Sequence, residues 1–140
     1  MLARLERMDT PRGRLIATSD IHGSLKLFNE LLELIRLTDE DALVIVGDMC
    51  ERGEDSLGVI RRAMELSRRG NVRVLAGNKD LRAIEYATGE NGRVGRAVTK
   101  YVDGMADWGC STLFRDMCRE AGVPYSSDMD VAAAQSVFKE

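Results

Sequence analysis

Three short apolar runs, each followed by a polar loop and a helix-like segment, constrain the fold of this chain most strongly. The runs are Leu15–Thr18, Leu43–Val46 and Val72–Ala76. They are composed of apolar and β-branched residues, a pattern typical of strands buried on both faces. Repeated alternation of strand and helix predicts βαβ crossovers and a parallel sheet. We therefore predict an α/β fold with a short parallel sheet and flanking helices.

The helical segments are predicted from residue spacing and from capping residues. Residues 25–37 carry apolar side chains at the i, i+3, i+4, i+7 spacing of a helix facing a core, namely Phe28, Leu31, Leu32 and Ile35. A second helix is predicted from Ser56, as N-cap, to Arg69, with Gly70 ending it. A third, shorter helix is predicted over residues 81–88.

The last third of the chain has a different character. Residues 93–105, 111–122 and 130–140 have helix-like patterns, and no further convincing strand follows. We therefore expect one partial domain over residues 1–140. Within it, residues 13–90 form the βαβ region that carries the motifs, and residues 91–140 form a helical tail.

Composition argues against several classes of protein. The formal net charge is −3, so electrostatic attraction to nucleic acid is not expected. No apolar run approaches the roughly 20 residues that span a bilayer, and the N-terminus is not a secretion signal. The three cysteines lack metal-ligand spacing, which predicts reduced thiols. We expect a cytoplasmic protein with neither nucleic-acid nor membrane partners.

Polar residues follow each predicted strand. In a parallel sheet the carboxyl ends of the strands meet at one edge, where ligands bind. Each motif alone is weak, since "SDIHG" also fits a capped turn and Asn78 also fits a helix N-cap. Together, the three loops are expected to bring one set of side chains to the same edge: Asp20, His22, Asp48, Glu51, Arg52, Asn78, Lys79 and Asp80.

This set of side chains indicates metal and phosphate chemistry. Carboxylate and amide oxygens with one imidazole suit Mn²⁺, Fe or Zn²⁺. Arg52 presents a planar fork of donors, which suits a phosphate oxygen. The sequence therefore predicts a metal site beside an anion-binding arginine.

The three loops also resemble the motifs of a known family. "SDIHG", "GDMCERG" and "GNKD" are similar, in order and spacing, to D-x-H-G, G-D-x-x-D-R-G and G-N-H-[DE] of the calcineurin-like metallophosphoesterases. The likeness is greatest to the phosphoprotein phosphatase branch, which includes serine/threonine and diadenosine-tetraphosphate phosphatases. It is specific from Thr18 to Asp80 and loose to Gly122. It implies an α/β sandwich of two sheets, of which this chain resembles the first half.

The resemblance implies a role for each matching residue. Asp20 and His22 resemble ligands of one metal, Asp48 the bridging carboxylate, and Asn78 a ligand of a second metal. Arg52 resembles the phosphate-binding arginine. The implied reaction is hydrolysis of a phosphoester, in a phosphoprotein or a nucleotide, by a metal-bound water.

Two positions of the family's acid–base dyad differ here. Glu51 stands where the family has aspartate, and Lys79 stands where it has the catalytic histidine. His22 is the one histidine in the chain, so the family's remaining histidine ligands have no counterpart. We therefore expect a truncated form of such an enzyme, weak or inactive alone, that holds one divalent ion (Mn, Fe or Zn) loosely.

Two further expectations follow from the missing half. A face of the sheet left bare is expected to be covered by the tail helices or by self-association of the chain.

The alternative to an impaired phosphoesterase is a non-catalytic module that binds metal, phosphate or a partner protein on the same scaffold.

The dyad positions supply a first test. Lys79 and Glu51 carry opposite charges, so they are predicted to form a linked pair. Lys79 would lie over the carboxylates of Asp20 and Asp48 and donate a hydrogen bond to phosphate, with acid–base catalysis impaired. The alternative is that both side chains point to solvent. Substituting Lys79→His and Glu51→Asp together is expected to raise turnover of a generic phosphoester in the presence of Mn²⁺. Unchanged turnover would show that this pair does not limit the chemistry.

Overall fold

A three-stranded parallel sheet forms the centre of the structure, a computed structural model that describes residues 7–81, 83 and 111–124. The strands β1 (Leu15–Thr18), β2 (Ala42–Val46) and β3 (Val72–Leu75) lie side by side in chain order. Leu43 of β2 pairs with Ile16 of β1 on one side and with Val72 of β3 on the other. The predicted α/β fold with a short parallel sheet is confirmed.

In the described part of the chain, three helices accompany the sheet: α1 (Leu25–Ile35), α2 (Ser56–Ser67) and α3 (Ser111–Ala121). A further helical turn covers residues 78–81, so the third predicted helix begins earlier than expected. Helix α3 matches one predicted tail helix. The segments 93–105 and 130–140 lie outside the described residues, and the division into a motif region and a tail stays a prediction.

The predicted N-cap of α2 was wrong by one residue. The side chain of Asp55, not that of Ser56, accepts the Gly58 amide hydrogen at 2.7 Å, and Ser56 is the first helical residue. An aspartate at this position satisfies one of the free amides at a helix start. The serine is thereby left for other contacts.

The core lies between one face of the sheet and the first two helices. Phe28 of α1 and Val59 of α2 pack with Leu43 and Ile45 of β2 and with Val72 of β3. Burying such side chains contributes roughly 1.5–3 kcal/mol each, which fixes the helices on this face. Within the described ranges, no helix has the length and apolar character needed to cross a membrane.

The other face of the sheet carries exposed apolar side chains, which corrects the prediction of strands buried on both faces. Leu15, Val46 and Leu75 are 67%, 46% and 51% exposed. They belong to three different strands and point away from the helices. The sheet therefore presents an apolar surface, here called the open face (Leu15, Val46 and Leu75).

A buried carboxylate organises the amino-terminal edge of the sheet. Asp41, just before β2, accepts hydrogen bonds from the backbone and the guanidinium of Arg14 and from the backbone and hydroxyl of Thr38, at 2.7–3.1 Å. The Arg14 side chain, above all, and these amides hold the pKa of Asp41 well below its ordinary range. The entry to β1 and the connection from α1 to β2 are joined at this carboxylate.

Asp41 gives a prediction on acid stability. Folding lowers its pKa, so its contribution is complete above the unfolded value of about 3.9 and is lost as pH falls below that value. Asp41→Asn is expected to lower the melting temperature at neutral pH and to flatten its fall toward about pH 3. Circular-dichroism melts across this range measure both effects.

A matched control lies two residues away. Asp39 pairs with Arg69 at 3.0 Å on the surface, with its side chain 99% exposed. Asp39→Asn is expected to change the melting temperature little, because exposed ion pairs contribute little. Wild-type acid sensitivity in Asp41→Asn would show that other carboxylates are responsible for it.

Candidate metal centre

The loops after β1 and β2 are joined by backbone hydrogen bonds. The amide of His22 donates to the carbonyl of Asp48 at 2.9 Å, and the amide of Gly23 donates to that of Met49 at 2.8 Å. These bonds extend the pairing of β1 and β2 beyond the ends of the strands. The two loops are therefore held side by side at the carboxyl edge of the sheet.

Three predicted metal ligands meet at this edge. Asp20, His22 and Asp48 each offer a ligand atom, and the three atoms all lie within 4.8 Å of one another. Nε2 of His22 lies 3.5 Å from a carboxylate oxygen of Asp20. Two carboxylates and one imidazole form a donor set that suits Mn²⁺, Fe or Zn²⁺.

The imidazole of His22 is oriented by a backbone carbonyl group. Its Nδ1 lies 3.2 Å from the carbonyl oxygen of Cys50. A carbonyl oxygen can only accept, so Nδ1 carries the hydrogen and Nε2 is the nitrogen left for an ion. Such a backbone partner fixes the ring and its tautomer, as is usual for metal-binding histidines. The three side chains thus fit a divalent ion.

Backbone strain is concentrated at the site. Asp20, His22, Asp48, Glu51 and Arg52 have φ values of 55°, 48°, 52°, 74° and 76°. Non-glycine residues seldom adopt this left-handed region, and each such conformation costs of order 1 kcal/mol or more. The surrounding hydrogen bonds must hold these residues in place. Strain of this kind is typical of binding sites.

Glycines let the three loops touch backbone to backbone. A Cβ on Gly47, which has φ 68°, would overlap the backbone of Gly77. A Cβ on Gly53 would overlap the backbone of Gly23 and the carbonyl oxygen of His22. The loop after β2 is therefore packed against the loop after β3 at one end and the loop after β1 at the other.

Asp80 connects loops, a role that sequence reasoning missed. Its carboxylate accepts the amide hydrogens of Met49 at 3.0 Å and of Gly77 at 2.9 Å, and the Cys50 thiol donates to it at 3.4 Å. The signal was available: an acid three residues after a helix N-cap commonly bonds back to the N-cap amide. Asp80 positions the loops after β2 and β3.

The residues after β3 lie against the carboxylate of Asp48. The backbone amide of Lys79 donates to Asp48 Oδ1 at 3.3 Å, and the Lys79 side chain is buried. Asn78, the predicted ligand of a second metal, is exposed beside it. The ligand role of Asn78 stays a prediction.

Arg52, the predicted phosphate-binding residue, is exposed on the same loop as Asp48. Among the described residues, no side chain or carbonyl pairs with its guanidinium. The fork of donors is thus available to an anion. Its role in phosphate binding stays a prediction.

Glu51 points away from solvent and toward α3. It is 1% exposed, and its carboxylate accepts the amide hydrogens of Thr112 at 3.2 Å and Leu113 at 3.3 Å. Burial raises the pKa of Glu51, while these amides and the charge of Lys79 act in the opposite direction. The charge of Lys79 is thus close enough to affect Glu51. The Glu51 carboxylate also binds the start of a helix, α3, that the sequence did not link to the site.

The chain is similar in sequence to several proteins that share one name. The chain is 39% identical over 74 residues to a symmetrical bis(5'-nucleosyl)-tetraphosphatase of Nitrosospira multiformis. It is 43% identical over 72 residues to the enzyme of that name from Buchnera aphidicola, and 40% identical over 76 residues to that from Acidovorax. Each match covers 51–54% of this chain and 26% of the relative. The chain thus spans about a quarter of the length of these relatives.

No solved structure gives a significant match to the chain. The sequence profile of the calcineurin-like phosphoesterases, in contrast, matches residues 13–130, which include all three strands, the cluster of Asp20, His22 and Asp48, and α3. The match extends over well more than half of the sequence. This chain therefore belongs to the calcineurin-like phosphoesterase family.

Proposed function

We propose that the protein acts in metal-dependent hydrolysis of phosphoesters, with a dinucleoside polyphosphate as the favoured class of substrate. The cluster of Asp20, His22 and Asp48 supports this proposal most directly, because three oriented ligands converge at the sheet edge. The names of the relatives favour a nucleotide substrate. A phosphoprotein is the second candidate substrate, because the G-D-x-x-x-R-G spacing around Asp48 and Arg52 resembles that of the branch that also includes serine/threonine phosphatases.

In this proposal, the residues of the site have separate roles in binding the ion, orienting the phosphate and positioning a carboxylate. Asp20, His22 and Asp48 would hold a divalent ion, which supplies Lewis acidity for activating water and neutralising phosphoryl charge. Arg52, exposed and without a partner among the described residues, would orient a phosphate through paired N–H donors. The backbone amide of Lys79 fixes one oxygen of Asp48, so the carboxylate keeps its orientation.

Asp48 provides the test of this function. Asp48→Asn removes one of the two carboxylates of the cluster, and Mn²⁺ affinity is expected to fall at least about 100-fold, more than is usual for a lost outer partner. Titration calorimetry with Mn²⁺ measures the affinity. Release of phosphate from diadenosine tetraphosphate, a phosphopeptide and a generic phosphoester measures activity. The exposed variant Asp39→Asn serves as the control.

The outcomes separate the two classes of function. Turnover that depends on Mn²⁺ and is lost in Asp48→Asn supports an enzyme. Binding of Mn²⁺ and inorganic phosphate without turnover of any substrate would favour the non-catalytic module instead. Equal Mn²⁺ affinity in the wild type and Asp48→Asn would contradict the metal site itself.

We also propose that two copies of the chain associate through the open face. Leu15, Val46 and Leu75 are 67%, 46% and 51% exposed there, so burying the rest of each side chain would contribute roughly half of the 1.5–3 kcal/mol expected for a fully exposed one. Exposed apolar surface shared by adjacent strands is typical of an interface. A second copy would present the same surface and could cover it by two-fold symmetry.

Sedimentation velocity tests the association. The wild type is expected to dimerise at micromolar concentration, and Leu75→Glu is expected to shift it to monomer. Leu34→Glu is the matched control, because Leu34 is 81% exposed on the outer side of α1, away from the open face. A wild-type monomer at all concentrations, or equal effects of both substitutions, would contradict the proposal.

A further inference from the structure

Two buried carboxylates link α3 to the loop after β2 and to the start of α2. Glu51, on the loop after β2, accepts the amides of Thr112 and Leu113 in the first turn of α3. Asp116, on α3, accepts the amide of Ser56 at the first residue of α2, at 2.8 Å. The start of α3 therefore binds a carboxylate of the loop that precedes α2, and the start of α2 binds a carboxylate of α3. Amides at a helix start have no partner within the helix and favour a negative charge.

The hydroxyl of Ser56 connects these two sets of hydrogen bonds. The Oγ of Ser56 accepts the amide hydrogen of Glu51 at 2.9 Å and lies 2.9 Å from the Thr112 hydroxyl. Glu51, Ser56 and Asp116 are only 0–2% exposed. Water cannot replace lost partners at buried groups, so each bond is costly to break. We call this group, Glu51, Ser56, Thr112 and Asp116, the interlock.

The interlock lies next to the groups that face the candidate metal. Cys50, whose carbonyl orients His22, precedes Glu51, and Arg52 follows it. Glu51 and Arg52 both have positive φ, a conformation that needs support from outside the loop. The carboxylate of Glu51 reaches that support at α3, with the charge of Lys79 nearby.

We propose that Glu51 is a positioning residue, which anchors the loop of residues 48–53 to the first turn of α3. Through this anchor α3 holds the Cys50 carbonyl behind His22 and fixes the direction of Arg52. The part that concerns Arg52 and the metal rests on the proposed phosphoesterase function. The coupling between α3 and the loop does not depend on it.

Hydrogen exchange, measured on the whole chain by mass spectrometry, tests the coupling. Glu51→Gln places an amide group against the N–H groups of α3. Exchange is expected to accelerate about tenfold or more in both the first turn of α3 and residues 49–53, because hydrogen bonds to charged groups are the stronger ones. Ser56→Ala is expected to have the same effect on the same two segments at about fivefold.

The matched control uses the same chemical change on the same helix. Glu120 of α3 pairs with Arg61 of α2 on the surface, away from the loop. Glu120→Gln is expected to leave exchange in residues 49–53 unchanged. If Glu51→Gln and Ser56→Ala leave residues 49–53 as protected as in the wild type, or if Glu120→Gln exposes them equally, the proposal is overturned.

The affinity for Mn²⁺, in the absence of substrate, is the second measurement. Loss of the support behind His22 is expected to weaken Mn²⁺ binding about tenfold in Glu51→Gln, the range found for outer partners of metal ligands, and not in Glu120→Gln. Unweakened binding in Glu51→Gln would overturn the link to the metal site. If the wild type binds no Mn²⁺, the proposed function fails, and the exchange pattern still decides whether Glu51 couples α3 to the loop.

Discussion

The candidate site depends on backbone pairing that continues past the ends of β1 and β2. The bonds from His22 to Asp48 and from Gly23 to Met49 bring two polar loops to the same edge. Without them the carboxylates of Asp20 and Asp48 would have no reason to stay close, because like charges repel. The parallel sheet thus supplies the geometry, and an ion or another cation would supply the charge that makes it favourable.

The loops themselves are strained, and buried carboxylates hold them. Asp80 secures the loop after β2 to the loop after β3, and Glu51 secures it to α3. Glycines 47 and 53 permit the close backbone contacts between neighbouring loops. A rigid support of this kind lets residues such as His22 and Arg52 keep conformations that an isolated loop would not adopt.

Local patterns in the sequence were sufficient to predict the sheet and the convergence of three residues of the candidate site. Apolar runs and their turn residues placed β1 and β2 within a residue of their observed bounds. Asp20, His22 and Asp48 were predicted to meet because parallel strands end at one edge. The open face was not foreseen in the strand prediction, since a run of apolar residues looks the same whether one face or both are covered.

The contacts of Glu51 show where sequence reasoning ends. Its partners, Thr112 and Leu113, are about sixty residues away, and nothing in the local pattern relates a loop acid to a distant helix start. Glutamate differs from the family's aspartate by one methylene group, which extends the reach of the carboxylate. In this chain that reach ends at the amides of α3, so the loop acid supports the fold around the site while the charge of Lys79 remains close to it. The two departures from the family motif thus belong to one buried arrangement, in which the Glu51 carboxylate binds the first turn of α3.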